Sequence, residues 1–265
     1  MLKLKGIKKT FNPGSVNERV ALVGIDLELL TGDVVTLIGG NGAGKSTLLN
    51  AVAGVYTLDA GQIFIDQEEV GGLPEYVRAS YIGRVFQDPM MGTAASMTIE
   101  ENLAIALKRG MRRKLRRGVL KKDRDFFCDH LQLLGLGLED RLTTRVGLLS
   151  GGQRQALTLL MATLKPPKLL LLDEHTAALD PNTAEKVLEL TELFISRYKL
   201  TTMMVTHNME DALRIGNRTI MMHEGRIILD LGEKQRKNTC IPDLLEMFKK
   251  ASGITMANDK MLLAN

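Results

Sequence analysis

The run Gly39-Gly40-Asn41-Gly42-Ala43-Gly44-Lys45-Ser46-Thr47 constrains this chain more than any other stretch. It fits the phosphate-binding pattern G-x-x-x-x-G-K-[ST], with Gly39, Gly44, Lys45 and Ser46 in register. The preceding Val34-Val35-Thr36-Leu37-Ile38 is β-branched and apolar and reads as a buried strand. Thr47-Leu48-Leu49-Asn50-Ala51-Val52-Ala53 reads as the first turns of a helix. A strand, a glycine loop and a helix in that order are what the pattern needs. Glycine lets backbone N–H groups turn inward onto phosphate oxygens, and the helix start adds its positive dipole end. Lys45 then reaches the β- and γ-phosphates and the Ser46 hydroxyl ligates Mg²⁺, with Asn41, Gly42, Ala43 and Thr47 completing the cradle.

The chain has 265 residues, enough for one large or two small domains with a sizeable core. A hydrophobic content of 45% and a charged content of 25% are ordinary for a soluble globular protein. No apolar run approaches the roughly 20 residues of a membrane-spanning helix. Met1-Leu2-Lys3-Leu4-Lys5-Gly6 lacks the apolar core of a secretory signal. Cys128 and Cys240 do not make a disulfide framework, so a reducing cytosol is expected. His130, His175, His207 and His223 show no metal-ligand spacing. The net charge of +4 hides an asymmetry: residues 108–124 hold ten Lys or Arg and one Asp, leaving 25 basic and 30 acidic residues elsewhere. The basic character belongs to one segment.

Residues 1–33 alternate like antiparallel strands. Leu2, Leu4 and Ile7 share one face, and Val20, Leu22, Ile25, Leu27 and Leu29 continue the pattern with a phase change near Gly24. Strands are expected at Gln62–Asp66, Tyr81–Phe86, Leu169–Glu174 and Thr201–His207, and a hairpin turns at Glu224-Gly225. Thr98 followed by Glu100 and Glu101 marks a helix start, and Leu103, Leu107, Met111, Leu115 and Val119 extend a drifting apolar stripe behind it, interrupted by Gly110 and Gly118. Further helices are expected over residues 126–134, 153–164, 182–197 and 209–215, with an amphipathic tail helix carrying Ile241, Leu244, Leu245 and Phe248 and frayed residues after Gly253. Strands alternating with helices imply an α/β fold with a mainly parallel sheet. An antiparallel β part precedes it, and a helical block is inserted near residues 90–165.

Leu169-Leu170-Leu171-Leu172-Asp173-Glu174 is a buried strand that delivers two carboxylates at its C-terminal end, where ligands sit in open α/β sheets. Asp173 is placed to hold Mg²⁺ and Glu174 to polarise an attacking water, which is what γ-phosphate hydrolysis requires. Between loop and carboxylates lies Leu149-Ser150-Gly151-Gly152-Gln153-Arg154-Gln155, which matches the signature motif of the ATP-binding cassette (ABC) ATPases. The chain resembles that family from about residue 2 to 230, with six motifs in the family's order.

The resemblance implies a P-loop NTPase core over 1–89 and 166–232, a helical subdomain over 90–165 and a helical tail over 233–265. It makes Gln87 the Q-loop glutamine that senses Mg²⁺ and water, Asp180 part of the D-loop, and His207 the switch histidine on the γ-phosphate. Phe11 corresponds to the aromatic residue that stacks on adenine. Ser150, Gly151, Gly152 and Gln153 open a helix and so form a second anion site, which the family completes in a head-to-tail dimer sandwiching two ATPs. A homodimer or a pair with a related subunit is implied. So are a separate membrane permease, an external solute-binding protein and a peripheral position on the cytoplasmic face. The family usually has Pro after the catalytic Glu, and this chain has His175. That leaves a tolerated loop substitution or a titratable group beside the hydrolytic water. The Asp-Glu-His-Thr variant resembles a subgroup of bacterial importer ATPases linked to aromatic amino acids, which hints at the solute.

A soluble ABC ATPase acting on a cytosolic complex is the competing reading, and a nucleotide-gated binder with poor hydrolysis is a third. Intact Lys45, Asp173, Glu174 and His207 argue against the last. Residues 108–124 read as a solvated helix face or a contact for anionic lipid. Nucleic acid is disfavoured because the run lacks interleaved aromatics or a known module.

Overall fold

The computed structural model describes residues 1–111 and 118–252, so Leu115, much of the basic run and the tail beyond Ser252 lie outside the described residues. In chain order the elements begin with β1 (Leu2–Phe11), β2 (Arg19–Leu29), β3 (Val34–Ile38), α1 (Lys45–Ala53), β4 (Ala60–Ile65), β5 (Glu68–Glu69) and α2 (Glu75–Arg78). Then come β6 (Ile82–Val85), α3 (Ile99–Leu107), α4 (Lys121–Gln132), α5 (Gly151–Thr163), β7 (Leu169–Asp173) and α6 (Pro181–Tyr198). The described residues end with β8 (Thr201–Val205), α7 (Met209–Arg214), β9 (Arg218–His223), β10 (Arg226–Leu231), α8 (Glu233–Lys237) and α9 (Ile241–Ser252). This is an α/β fold.

Contacts divide the chain into two compact units, one built from Met1–Arg78 with the segment from Thr201 onward, the other from Ala79–Leu200. In the first unit, β1 pairs antiparallel with both β2 and β4, and β5 extends β4. Leu2, Leu4, Ile7, Leu22, Ile25, Leu27 and Leu29 are buried, as the alternation predicts. Val20 departs from the pattern at 54% exposure. Three register shifts between β1 and β2, with Gly6 and Gly24 at positive φ, break the phase, so a count of two does not carry through to Val20.

Also in the first unit, β3 lies parallel between β8 and β9, and β10 returns antiparallel on β9. Every residue of β3 and β8 is buried, which explains their unbroken apolar runs. The β9–β10 turn puts Glu224 at φ 45 and Gly225 at φ 73, the left-handed pair that matches strand twist. Ile38, Met209, Ala212, Met221, Leu231, Leu244 and Phe248 form one buried cluster, so α9 contributes Leu244 and Phe248 to the core beneath the end of β3.

In the second unit β6 and β7 pair in parallel, and α3, α4 and α5 pack on one another. Thr98 caps α3 through a capping box with Glu101. The apolar stripe predicts a longer helix, but α3 stops at Leu107, and Gly110 turns at φ +70, where an added Cβ would meet Ser80 at 2.8 Å. α4 begins at Lys121, ahead of the apolar residues that announce it, because its first turn is polar. No helix among the described residues is long and apolar enough to cross a membrane.

Candidate functional site

The first unit carries the glycine loop. α1 starts at Lys45 with Gly44 at φ 100 as its N-cap, and no side chain caps its first turn. The start of a helix presents backbone N–H groups of the sign an anion needs. A Cβ on Gly39 would sit 2.2 Å from the Met222 carbonyl oxygen, and one on Gly44 would sit 2.6 Å from that of Ala21. Neither position has room for a side chain, so the backbone approaches where a phosphate would need it. Lys45 is 5% exposed, and its ammonium donates to the carbonyls of Gly39 (2.8 Å) and Gly40 (3.2 Å), tracing the inner wall of the loop. Ser46 follows in the first turn of α1.

In the same unit, Phe11 ends β1 with its ring edge-on to Tyr56, the centroids 5.1 Å apart, and Lys9 lies 5.7 Å over its face. Arg19, which sequence reasoning passed over, donates to the Gly42 carbonyl at 3.2 Å. Only the fold brings a residue 23 positions away to the loop. His207 is exposed just past β8, and Asn208 caps α7 by accepting from the N–H groups of Glu210 and Asp211. At the far end of α1, the fully buried Arg78 donates to the carbonyls of Ala51 (2.8 Å) and Val52 (3.0 Å) through Nη1, to Leu73 through Nε and to Gly71 through Nη2. A cation under the last carbonyls of a helix complements its dipole.

The second unit carries the carboxylates and the signature run. Asp173 is the last residue of β7, half-buried, with Arg84 Nη2 3.7 Å from its Oδ2. Glu174 follows in the left-handed region at φ 47, an uncommon conformation for a residue with a long side chain. Its carbonyl accepts from the Ala177 N–H at 3.0 Å, which closes a turn. His175 is 1% exposed. Its Nε2 lies 3.0 Å from Thr191 Oγ1, and that hydroxyl donates to the Val187 carbonyl at 2.8 Å. The histidine is therefore the donor to Thr191, and the lone pair on Nδ1 has no partner among the described residues. Burial pushes this imidazole down to about 4, so near pH 7 it is neutral and keeps one charge state.

Ser150 caps α5 through a capping box with Gln153, its Oγ accepting from the Gln153 N–H at 3.3 Å. Gly151 and Gly152 form the first turn, and a Cβ on Gly152 would fall 2.0 Å from Thr183 Cγ2. Asp180 caps α6 ahead of Pro181, and the hydrogen bond from Thr183 holds its carboxyl below the usual range. Gln87 is exposed just beyond β6. Gln155, which the sequence marks only as part of the signature run, is fully buried and donates to the carbonyls of Phe86 (3.0 Å) and His175 (2.6 Å).

The donors suit a magnesium nucleotide. A serine hydroxyl and an aspartate carboxylate are the hard oxygen ligands Mg²⁺ prefers, and the glycine cradle offers N–H groups of the sign phosphate needs. No group of three or more His, Cys, Asp or Glu among the described residues forms an all-protein metal site.

Comparison with known proteins follows the same line. The family model described as "ABC transporter" matches residues 22–177. The chain is 44% identical over 254 residues to the tyrosine transport ATP-binding protein of Clostridioides difficile strain R20291, covering 95% of this chain and all of that one. It is 35% identical over 232 residues to the methionine import ATP-binding protein MetN of Bartonella henselae, covering 86% of this chain and 64% of that one. Among solved structures it resembles the dimeric ATP-binding cassette MJ0796 in a post-hydrolysis state with ADP and Pi. The TM-score is 0.75 and the identity 28%, over 88% of this chain and 99% of that one. A phosphate loop whose Gly39 and Gly44 admit no Cβ, carboxylates at a strand end and this end-to-end similarity lead to one conclusion: the chain belongs to the ABC transporter family, as an ATP-binding, ATP-hydrolysing subunit.

Proposed function

We propose that this subunit powers uptake of a small solute, an amino acid first among candidates, through a separate membrane permease on whose cytoplasmic face it sits. The observation that carries the reading is the end-to-end similarity to a tyrosine transport ATP-binding protein. The sequence hint from Asp-Glu-His-Thr points the same way. An external solute-binding protein would deliver the cargo.

In this reading two copies, or this chain and a related one, pair head to tail. Residues 90–165 form the helical subdomain that presents the signature to the partner, and 1–89 with 166–232 form the nucleotide core. The adenine stacks on Phe11. The phosphates lie on the N–H groups of residues 39–47, and Lys45 exchanges its loop carbonyls for β- and γ-phosphate oxygens. Ser46, Asp173 and Gln87 are the side chains that would hold Mg²⁺, directly or through water, and the ion would supply positive charge to offset that of the phosphates. Glu174 draws a proton from the in-line water, and His207 steadies the γ-phosphate. The Ser150 hydroxyl and the Gly151, Gly152 and Gln153 N–H groups of one copy close on the ATP of the other, beside Asp180. Closure thereby depends on the γ-phosphate and is undone by hydrolysis.

The test is a tagged pull-down from mild-detergent extracts of the native host, paired with Glu174→Gln. Recovery of a multi-span permease and an ATP-bound dimer of the variant support the reading. Recovery of soluble partners alone overturns the transporter half. Full turnover by Glu174→Gln overturns the assignment of the base.

A further inference from the structure

Gln155 occupies an unusual place in the second unit. It lies in α5, five residues beyond Ser150, and is fully buried. Its amide nitrogen has two hydrogens, and each has a carbonyl to meet: Phe86 at 3.0 Å and His175 at 2.6 Å. Phe86 immediately precedes Gln87, and His175 immediately follows Glu174. One side chain thus clips together the backbones of the segments that carry these two polar residues.

The orientation of the amide is fixed by its neighbours. Turned over, the amide would place Oε1 against two carbonyl oxygens and lose both bonds. As it stands, Oε1 is buried with no partner among the described residues, a local cost accepted for the two bonds on the other atom. The receiving turn needs such support. Glu174 is held at φ 47, and conformations of that kind persist only where surroundings over-determine them. Gln155 acts on the carbonyl after Glu174, Ala177 on its own carbonyl, and the His175 ring is anchored to Thr191 on α6.

We infer that Gln155 is a positioning residue for hydrolysis: by bonding both carbonyls from the helix that begins at Ser150, it sets the distance between Gln87 and Glu174 and holds the Glu174 turn in register with the start of α5. The inference rests on the proposed roles of Glu174 and Gln87. It assigns Gln155 no contact with ATP, so its loss should spare binding and harm turnover.

The experiment measures steady-state MgATP hydrolysis and nucleotide affinity for Gln155→Met, which keeps the volume and removes the donor. It adds single-turnover rates of Glu174→Gln with and without that change. The expected kcat of Gln155→Met is about ten- to a hundredfold lower, the cost of a misplaced reacting group, with KM and affinity within about twofold of wild type. In the Glu174→Gln background the same change should cost clearly less than in wild type, because the carboxylate is gone and only the hold on Gln87 remains to be lost. A purely structural role would lower affinity with turnover, or multiply fully in both backgrounds, and either result overturns the inference. An unchanged kcat overturns it too. If Glu174→Gln alone keeps wild-type turnover, the reading of Glu174 fails and this inference falls with it. If Glu174→Gln is slow and Gln155→Met multiplies fully, only the role of Gln155 is lost. Gln155→Asn, whose amide reaches one carbonyl but not both, gives the same decision should the Met variant be unstable. Its expected kcat lies between the two, at unchanged KM.

Discussion

At the scale of single residues, His175 shows how burial decides chemistry. The histidine after the carboxylates offers two readings in the sequence, and its enclosure against Thr191 leaves it neutral near pH 7. Its unfolded pKa is near 6.5 and its folded value about 4, so below 6.5 the unfolded chain takes up a proton that the folded chain refuses. Its contribution is intact above pH 6.5 and is lost as pH falls to 4, by at most about 3 kcal/mol. Urea unfolding of wild type and His175→Leu across that range should converge at low pH, and a constant gap would contradict the assignment. Turnover should show no inflection from His175 between pH 6.5 and 8.5. The loop residues make a second case. Gly39→Ala must push its Cβ into the Met222 carbonyl, so ATP affinity, read by titration calorimetry, should fall at least about tenfold while the rest of the first unit stays folded. Gly39, Lys45 and Ser46 were legible because they lie within eight positions of one another. Thr191 was not, since 16 residues separate it from the histidine it holds.

At the scale of elements, apolar patterning located the long strands and helices, and polar ends escaped it. The stripe through Leu107 and Met111 runs past the end of α3, and it is Gly110, the interruption in that stripe, that turns at φ +70. β5, α2 and α8 are short and mostly polar, and no periodic pattern marks them. α2 nevertheless ends in Arg78, whose guanidinium holds the last carbonyls of the phosphate-loop helix. Arg78→Met should cost about 3 kcal/mol by leaving several carbonyls unmet, and Arg78→Lys should recover little, since an ammonium cannot fork across them. Chemical denaturation reads both. A loss below about 1 kcal/mol in the Met variant would show that water replaces the guanidinium without penalty. At the head of α6, Asp180→Ala removes a cap and should cost about 1 kcal/mol by the same measurement.

At the scale of the whole molecule, the candidate machinery is divided between two units: Lys45, Ser46 and His207 belong to one, and Gln87, Ser150, Asp173 and Glu174 to the other. Order along the chain made the set legible, and no sequence pattern revealed which unit each motif stiffens. The division predicts a separation of phenotypes. Lys45→Ala should abolish nucleotide binding by the monomer, whereas Ser150→Ala should leave that affinity unchanged and reduce turnover by a factor of ten or more. Equal loss of binding in both would remove the shared-site reading.

The threading of β3 sets a timetable for synthesis. β3 is flanked by β8 and β9, and about 160 residues separate Ile38 from Thr201. At roughly 5–20 residues per second, a nascent chain therefore carries an apolar strand with both edges bare for on the order of ten seconds or more. The unit from Ala79 to Leu200 is continuous and can condense while the first one waits. The last described helix, α9, places Leu244 and Phe248 in the cluster that holds Ile38, at the end of the phosphate-loop strand. A ribosome stalled before residue 241 would hold a chain with its glycine loop already made and the floor of that loop still open.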